Sequence, residues 1–252
     1  ISVFIEYGMI ADPKFFERAE KFMLFKDTEG KYYTIEEYKK LIEENQKNKD
    51  NRLVYLYATD ADEQYSNIEN AKNKGYNVLL MDGILDSHFI STYEQKYGDC
   101  HFARVDSASI DKLIEKEGDS NESKLNDEQK ENIKKAFENV IDKVTFNVEF
   151  SNLGENDAPV EIIQNEFMRR MKDMSAMGGG MQMWGSMPDN YILMLNTNNP
   201  IIAGLADKSE EERANIIKHL YDLARLSKNL LKGKDLNEFV KREFRKTENL
   251  KN

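Results

Sequence analysis

The sequence predicts a mixed α/β and α+β fold, in which a small three-layer α/β/α module precedes a mixed C-terminal domain. Nearly all-apolar runs at 52–58, 78–81 and 100–105 alternate with helical patterns. This alternation is typical of buried parallel strands that are joined by helices. A charged stretch with few apolar residues at 117–126 separates the module from the C-terminal domain. An amphipathic pattern over 209–231 then predicts a long helix, the first of a C-terminal helix pair.

The chain has 252 residues, which is enough for two hydrophobic cores. We predict a helical segment over 1–50, the α/β/α module over 51–116, a linker over 117–126 and a C-terminal domain over 127–252. Within the first part, apolar residues at helical spacing predict helix over 1–25. The apolar start without an initiator methionine resembles the middle of a buried element, so we expect the chain to be a fragment of a longer protein.

Polar residues mark the expected helix ends. Residues suited to helix capping predict four helix starts, at Thr34, at Asp60 to Glu63, at Asn126 and at Ser209. A further helix is expected from near Pro159, and it carries the first methionines of an unusual cluster. Gly233 is expected to end the long helix, and the last helix is expected to run from Leu236 to about Thr247.

Composition limits the classes of partner. The formal net charge is −10, which argues against general nucleic-acid binding because that requires a basic surface. It also disfavours an anionic membrane surface, and no apolar run approaches the length of a membrane span. The single cysteine, Cys100, excludes an internal disulfide and fits a reducing compartment. We therefore expect a cytoplasmic protein without nucleic-acid or membrane partners.

No motif predicts catalysis or metal binding. The glycines at 178–180 lack the lysine and hydroxyl residue of a phosphate-binding loop. Cys100 and His101 are adjacent in a predicted strand, so their side chains should lie on opposite faces. The acidic residues at 60–63 lack the glycine and the final glutamate of a calcium loop, and helix capping explains them better. His88 and His219 are distant from one another and from His101, so no metal spacing is present.

The most unusual feature is a group of seven methionines within twenty residues, between Met168 and Met187. A helix that faces a core is the default interpretation. However, Arg169, Arg170 and the charged residues after them leave only a narrow apolar face. A Cu(I) site of thioethers is a second interpretation, although no His or Cys lies nearby. The third is an adaptable surface for apolar protein partners, because methionine side chains are flexible and polarisable.

The C-terminal helix pair also has two interpretations. It packs on its own domain, or it provides a self-complementary face for a two-fold dimer. The long apolar stripe and the small preceding sheet favour the dimer. The predicted interface residues are Ile216, Ile217, Leu220, Leu223, Ala224, Leu226, Leu230, Leu231, Phe239 and Val240.

Residues 52–59 and 74–81 resemble the second half of the middle domain of a known family, the ninety-kilodalton heat-shock protein chaperones in their bacterial type. The segments 193–196 and 200–202 resemble its Leu-x-x-Asn-Pro region, and 220–227 resembles its dimerisation helix. The similarity follows the family order over nearly the whole chain.

The resemblance implies a homodimeric chaperone that binds unfolded or partly folded client proteins and is driven by ATP in its full-length form. ATP and Mg²⁺ would bind an N-terminal domain that is absent here, so we expect no cofactor and no catalytic residue in this chain. The implied client-binding residues are Phe167, Met168, Met171, Met174, Met177, Met181, Met183, Trp184, His88 and Phe89. His88 stands where the family has a tryptophan. The alternative is a non-chaperone α/β interaction scaffold whose methionine helix is core.

Overall fold

The computed structural model describes residues 2–116, 121–164, 169–170 and 190–249. The chain forms two compact units. Unit 1 contains Ile1–Asp119 and Gln164–Pro188, and unit 2 contains Ser120–Ile163 and Asp189–Asn252. The mixed α/β class expected from the sequence is confirmed, whereas the four-part division of the chain stays a prediction.

Unit 1 begins with two short helices and a β-hairpin. The elements are α1 (Ser2–Ala11), α2 (Pro13–Ala19), β1 (Leu24–Lys26), β2 (Tyr32–Thr34) and α3 (Ile35–Ile42). Asp12 caps α2 by accepting a hydrogen bond from the Lys14 amide at 2.8 Å. Thr34 and Glu37 form the expected capping box at the start of α3.

The helices α1 and α2 confirm most of the helical region expected over 1–25, and the hairpin corrects its end. Leu24–Lys26 pairs antiparallel with Tyr32–Thr34. One carboxylate oxygen of Asp27 accepts hydrogen bonds from the Glu29 and Lys31 amides, each at 2.9 Å, and this holds the turn. Strands of only three residues give too little alternation to be recognised in a sequence.

The predicted parallel sheet of unit 1 is confirmed. Its elements are β3 (Leu53–Ala58), α4 (Tyr65–Asn73), β4 (Leu79–Leu80), α5 (Asp86–Lys96), β5 (Cys100–Arg104) and α6 (Ile110–Leu113). The strand order is β4-β3-β5, and β3 pairs in parallel with both neighbours. All six residues of β3 are buried. The strand therefore lies at the centre of the unit.

Two hydrophobic clusters cover the two faces of this sheet. Leu53, Tyr55 and Tyr57 belong to one cluster, which also contains core residues of α1, α3 and α5. The intervening Val54, Leu56 and Ala58 belong to the other, with residues of α4 and α6. Side chains alternate between the faces of a strand, so a nearly all-apolar strand needs helices on both sides.

The start of α4 differs from the expectation. Residues 60–63 do not cap this helix, which begins at Tyr65. Instead, one carboxylate oxygen of Asp60 accepts hydrogen bonds from the Asp62 and Glu63 amides, each at 2.9 Å, and forms a turn before the helix. Aspartate stabilises such turns as readily as it caps helices, so its presence alone does not locate the first helical residue.

Unit 2 combines a second three-stranded sheet with helices. Its elements are α7 (Asp127–Glu138), β6 (Phe146–Ser151), β7 (Val160–Gln164), β8 (Tyr191–Asn196), α8 (Pro200–Gly204), a 3-10 turn (Leu205–Asp207), α9 (Glu210–Ser227) and α10 (Gly233–Asn249). The strand order is β6-β8-β7, with β6 and β8 parallel. Asn126 and Ser209 form capping boxes with Gln129 and Glu212, as expected.

Two expectations for unit 2 are wrong. The segment after Pro159 is a strand rather than a helix, because Val160, Ile162 and Ile163 are β-branched residues that are buried in the sheet. The long helix ends at Ser227 rather than near Gly233. Asn229 has a φ of 54°, which reverses the chain, and α10 begins at Gly233. Asparagine tolerates this left-handed conformation better than most residues do.

Three asparagines at the end of β8 hold the loop after β6. Asn196 Oδ1 accepts hydrogen bonds from the Leu153 and Asn198 amides, while its Nδ2 donates to the Gly154 carbonyl at 2.8 Å. The side-chain Nδ2 of Asn198 donates to the Leu153 carbonyl at 3.0 Å, and the Asn199 side chain caps α8. These buried side chains satisfy backbone groups that no strand reaches.

We predict that Asn196→Ala destabilises unit 2 by about 2–3 kcal/mol, because it leaves buried donors and an acceptor without partners. Chemical denaturation of the two proteins measures the difference. Asn147→Ala is the matched control, because the Asn147 side chain is exposed where it donates to Asn190 Oδ1. Equal loss of stability in both variants would contradict this account.

Candidate functional site

The methionine segment falls almost entirely outside the residues that the structure describes. This applies to eight of the predicted client-binding residues: Phe167, Met168, Met171, Met174, Met177, Met181, Met183 and Trp184. Two residues within the segment are described, namely Arg169 and Arg170. Both make contacts within unit 1.

The remaining two predicted client-binding residues lie on α5 and differ in their surroundings. Phe89 is fully buried and stacks on Phe16, with ring centroids 6.4 Å apart. It is therefore part of the core of unit 1. His88 is partly exposed, and its Nδ1 is buried without a hydrogen-bond partner within the described part of the chain. Of this pair, only His88 offers surface to a client.

A carboxyl group with a shifted pKa lies at the start of α5, two residues before His88. Burial is the largest of the causes that raise the pKa of Asp86 to about 7. The charges of Glu6 and Asp82 also raise it, and the hydrogen bond from the Gly83 amide lowers it. That hydrogen bond is 2.8 Å long. Burial also raises the pKa of Glu6, on α1. Burial thus raises the pKa of two carboxyl groups near α5, those of Glu6 and Asp86.

Arg169 and Arg170 bind the sheet of unit 1 from the start of the methionine segment. Arg169 is buried, and its Nη2 donates to the Tyr57 hydroxyl at 2.6 Å. Arg170 Nη1 donates to Glu94 at 2.8 Å, and its Nη2 donates to the Phe102 carbonyl at 2.6 Å. The sequence pattern had indicated these arginines only as charges that narrow an apolar face.

The predicted dimer residues divide into a buried and an exposed group. The buried ones are Ile217, Leu220, Ala224, Leu231 and Phe239, while Ile216 and Leu230 are partly buried against the same core. The exposed ones are Leu223, Leu226 and Val240, with exposed fractions of 41%, 42% and 38%. Phe244 on α10 is 67% exposed and was not predicted. It lies four residues after Val240, so the two share a helix face.

A buried carboxylate joins α9 to α10. Asp222 is almost completely buried and accepts hydrogen bonds from Lys218 Nζ at 3.0 Å and Arg242 Nη2 at 2.8 Å. A second ion pair, between Arg225 and Asp235, spans the same two helices at 2.8 Å. These contacts hold the helices together independently of any partner chain. They also leave the outer apolar side chains exposed.

The remaining polar groups of interest are the Cys100 thiol and side chains that could bind a metal ion. Burial raises the pKa of the Cys100 thiol to about 12, so the thiol stays protonated near neutral pH. Within the described ranges, no three His, Cys, Asp or Glu side chains are grouped so that they could hold a metal ion. No helix of the described part is both long and apolar enough to cross a membrane.

The comparison with known families decides the classification. The family model described as Hsp90 protein matches residues 2–249. The chain belongs to the Hsp90 family. Chaperone protein HtpG of Bacteroides thetaiotaomicron is 50% identical over 213 residues, which cover 83% of this chain and 31% of that protein. HtpG of Porphyromonas gingivalis strain ATCC 33277 is 48% identical over 205 residues, covering 80% of this chain and 30% of that protein. The more distant HtpG of Wolinella succinogenes is 27% identical over 199 residues, covering 76% of this chain and 30% of that protein.

The chain thus spans about three tenths of the length of these relatives. The family resemblance inferred from residues 52–59, 74–81 and 220–227 is confirmed. The individual client-binding and dimer residues stay predictions.

Asp86 makes stability depend on pH. Its folded-state pKa is raised, so its stabilising contribution is complete below the unfolded pKa near 4 and is lost as pH rises through about 7. Asp86→Asn should therefore raise the melting temperature by roughly 2–4 °C at pH 8 and leave it nearly unchanged at pH 4. Thermal unfolding followed by circular dichroism at both pH values checks this. Asp62→Asn, at an exposed position of the same unit, is the control. A gain of the same size at pH 4 would contradict the assignment.

Proposed function

We propose that this chain is the part of an Hsp90-type chaperone that forms the homodimer and contacts unfolded or partly folded client proteins. The observation that carries the proposal is the family match over 2–249, together with relatives that are named as chaperones. The exposed apolar residues of α9 and α10 support a dimer surface. The methionine segment and His88 are the proposed client contacts.

The proposed dimer surface consists of Leu223, Leu226, Val240 and Phe244, which we call the outer apolar surface. These side chains are large and exposed although the ion pairs of Asp222 and Arg225 already join α9 to α10. Clusters of exposed apolar side chains on a soluble protein usually mark an interaction site. The buried members of the predicted interface contribute by holding the two helices in place.

ATP hydrolysis is not part of the proposed role of this chain. The relatives are more than three times as long as the stretch that matches them. We propose that ATP and Mg²⁺ act in the remaining part of the full-length protein, as the family resemblance implies. A cytoplasmic location likewise follows from the resemblance and from composition.

We predict that the chain is a dimer at tens of micromolar, as expected for a modest interface. Leu226→Glu combined with Val240→Glu should give a monomer, because two carboxylates would have to be buried on association. Multi-angle light scattering measures the mass. Val144→Glu is the control, since Val144 is 80% exposed in the same unit and lies outside the proposed surface. A monomeric parent protein would refute the dimer.

We also predict that Met171→Glu with Met174→Glu weakens binding of an unfolded client about tenfold or more while the dimer persists. Fluorescence anisotropy of labelled, reduced and carboxymethylated α-lactalbumin measures the affinity. The control is Ile84→Glu, which places a charge at an exposed apolar position of unit 1. Global unfolding of the methionine variant would instead favour the alternative in which this helix is core.

A further inference from the structure

β6 is an edge strand of unit 2, and its pairing with β8 fixes which of its peptide groups point outward. The strand order places β8 on one side of β6 only. The Tyr191 amide donates to the Thr145 carbonyl, and the Thr197 amide donates to the Ser151 carbonyl, each at 2.9 Å. Successive residues of a strand direct their peptide groups to opposite sides. The residues at 145, 147, 149 and 151 therefore bind β8, and those between them point away from it.

The outward peptide groups belong to Phe146, Val148 and Phe150. The Phe146 amide already donates to the Asp142 carbonyl at 2.9 Å, which closes the first position of the edge. Among the residues that the structure describes, no hydrogen bond reaches the outward groups of Val148 or Phe150. Each of these two residues thus presents an N–H donor and a C=O acceptor in the spacing that a further strand requires.

The edge of β6 is open, whereas the edge strand β5 of unit 1 is blocked by side chains. On β5, the Phe102 amide donates to Glu94 at 2.6 Å, and the Cys100 carbonyl accepts from Arg52 at 2.9 Å. Proteins also protect edge strands with prolines, bulges and charged side chains. β6 contains no proline, and its register with β8 is unbroken over the whole strand. Its single charged side chain is that of Glu149.

The side chains of β6 indicate which residues an added strand would carry. Val148 lies in the core of unit 2 and Phe150 packs against that core, while Asn147 and Glu149 are exposed on the opposite face. Side chains that lie opposite one another on neighbouring strands interact, and opposite charges attract there. The edge therefore favours apolar residues on the face of Val148 and a basic residue beside Glu149. The net charge of −10 favours a basic partner as well.

We propose that the outer edge of β6 binds an extended segment of a client polypeptide as an added strand, and that it prefers segments in which apolar residues alternate with basic ones. The proposal rests on the proposed function, because it takes the segment from a client. An unfolded polypeptide offers peptide groups that have no internal partner. Hydrogen bonds between main chains give affinity for many sequences, and the side chains at the edge add selectivity.

Hydrogen exchange of single amides, followed by NMR on the whole chain, tests the proposal with a short capped peptide of alternating valine and lysine. At a peptide concentration of about ten times Kd, the Val148 and Phe150 amides should exchange about tenfold more slowly. The Asn147 and Glu149 amides should change little, because β8 already binds them. The same peptide with a central proline is the control ligand, since proline removes a donor.

Glu149→Lys tests the preference for basic segments. It should weaken binding of the valine–lysine peptide several-fold, because it replaces an attractive charge at the edge with a repulsive one. Glu131→Lys is the matched control, since it changes the net charge equally at an exposed position of α7. Fluorescence anisotropy of the labelled peptide measures both affinities. An equal loss in the two variants overturns the preference.

The exchange pattern decides between the possible occupants of the edge. Peptide binding that leaves the exchange of Val148 and Phe150 unchanged overturns the proposal. Protection of these amides that rises with protein concentration, without peptide, assigns the edge to a second copy of the chain and also overturns it. Reduced, carboxymethylated α-lactalbumin separates the edge from the proposed function. If it binds without slowing the two amides, the client function stands and the edge proposal fails. If it does not bind, the client function fails, and the peptide alone decides whether the edge accepts a strand.

Discussion

Burial of β3 on both faces is the constraint on which unit 1 depends. A strand with six buried residues cannot lie against solvent, so helices must cover each side of the sheet. Leu53, Tyr55 and Tyr57 face one hydrophobic cluster, and the residues between them face the other. The hairpin β1–β2 adds Phe25 to the first cluster, where its ring packs edge-on against Tyr55 at 6.3 Å. The tyrosines of β3 combine this packing with polar hydroxyls, and Tyr57 uses its hydroxyl to bind Arg169.

Buried polar side chains organise two parts of unit 2. Asn196 and Asn198 replace regular strand pairing by satisfying the loop after β6. Asp222 plays a similar part between α9 and α10, where Lys218, Arg225 and Arg242 surround a carboxylate that would otherwise be costly to bury. The side chains of the outer apolar surface stay exposed beside these interactions.

The sequence predicted the parallel sheet of unit 1 well, because strands such as Leu53–Ala58 carry an unbroken apolar run. Capping residues also located the starts of α3, α7 and α9, because each start depends on hydrogen bonds between neighbouring residues. It failed at the hairpin, whose strands of three residues show too little alternation. It also failed at Val160–Gln164, which lies beside β8, a strand much later in the chain. For the candidate site, periodicity could not foresee that Arg170 binds a peptide unit 68 residues away. Nor could it separate the buried Phe89 from the partly exposed His88.

The burial of Cys100 has a practical consequence for studying the chain. The thiol lies on β5 within the core of unit 1, and its Sγ donates to the Tyr97 carbonyl at 3.3 Å. Thiol-directed dyes react with the thiolate, which this environment suppresses. A second cysteine placed on an exposed helix could therefore be labelled selectively in the otherwise natural sequence. Distances within the chain could then be followed by fluorescence without first replacing its single cysteine.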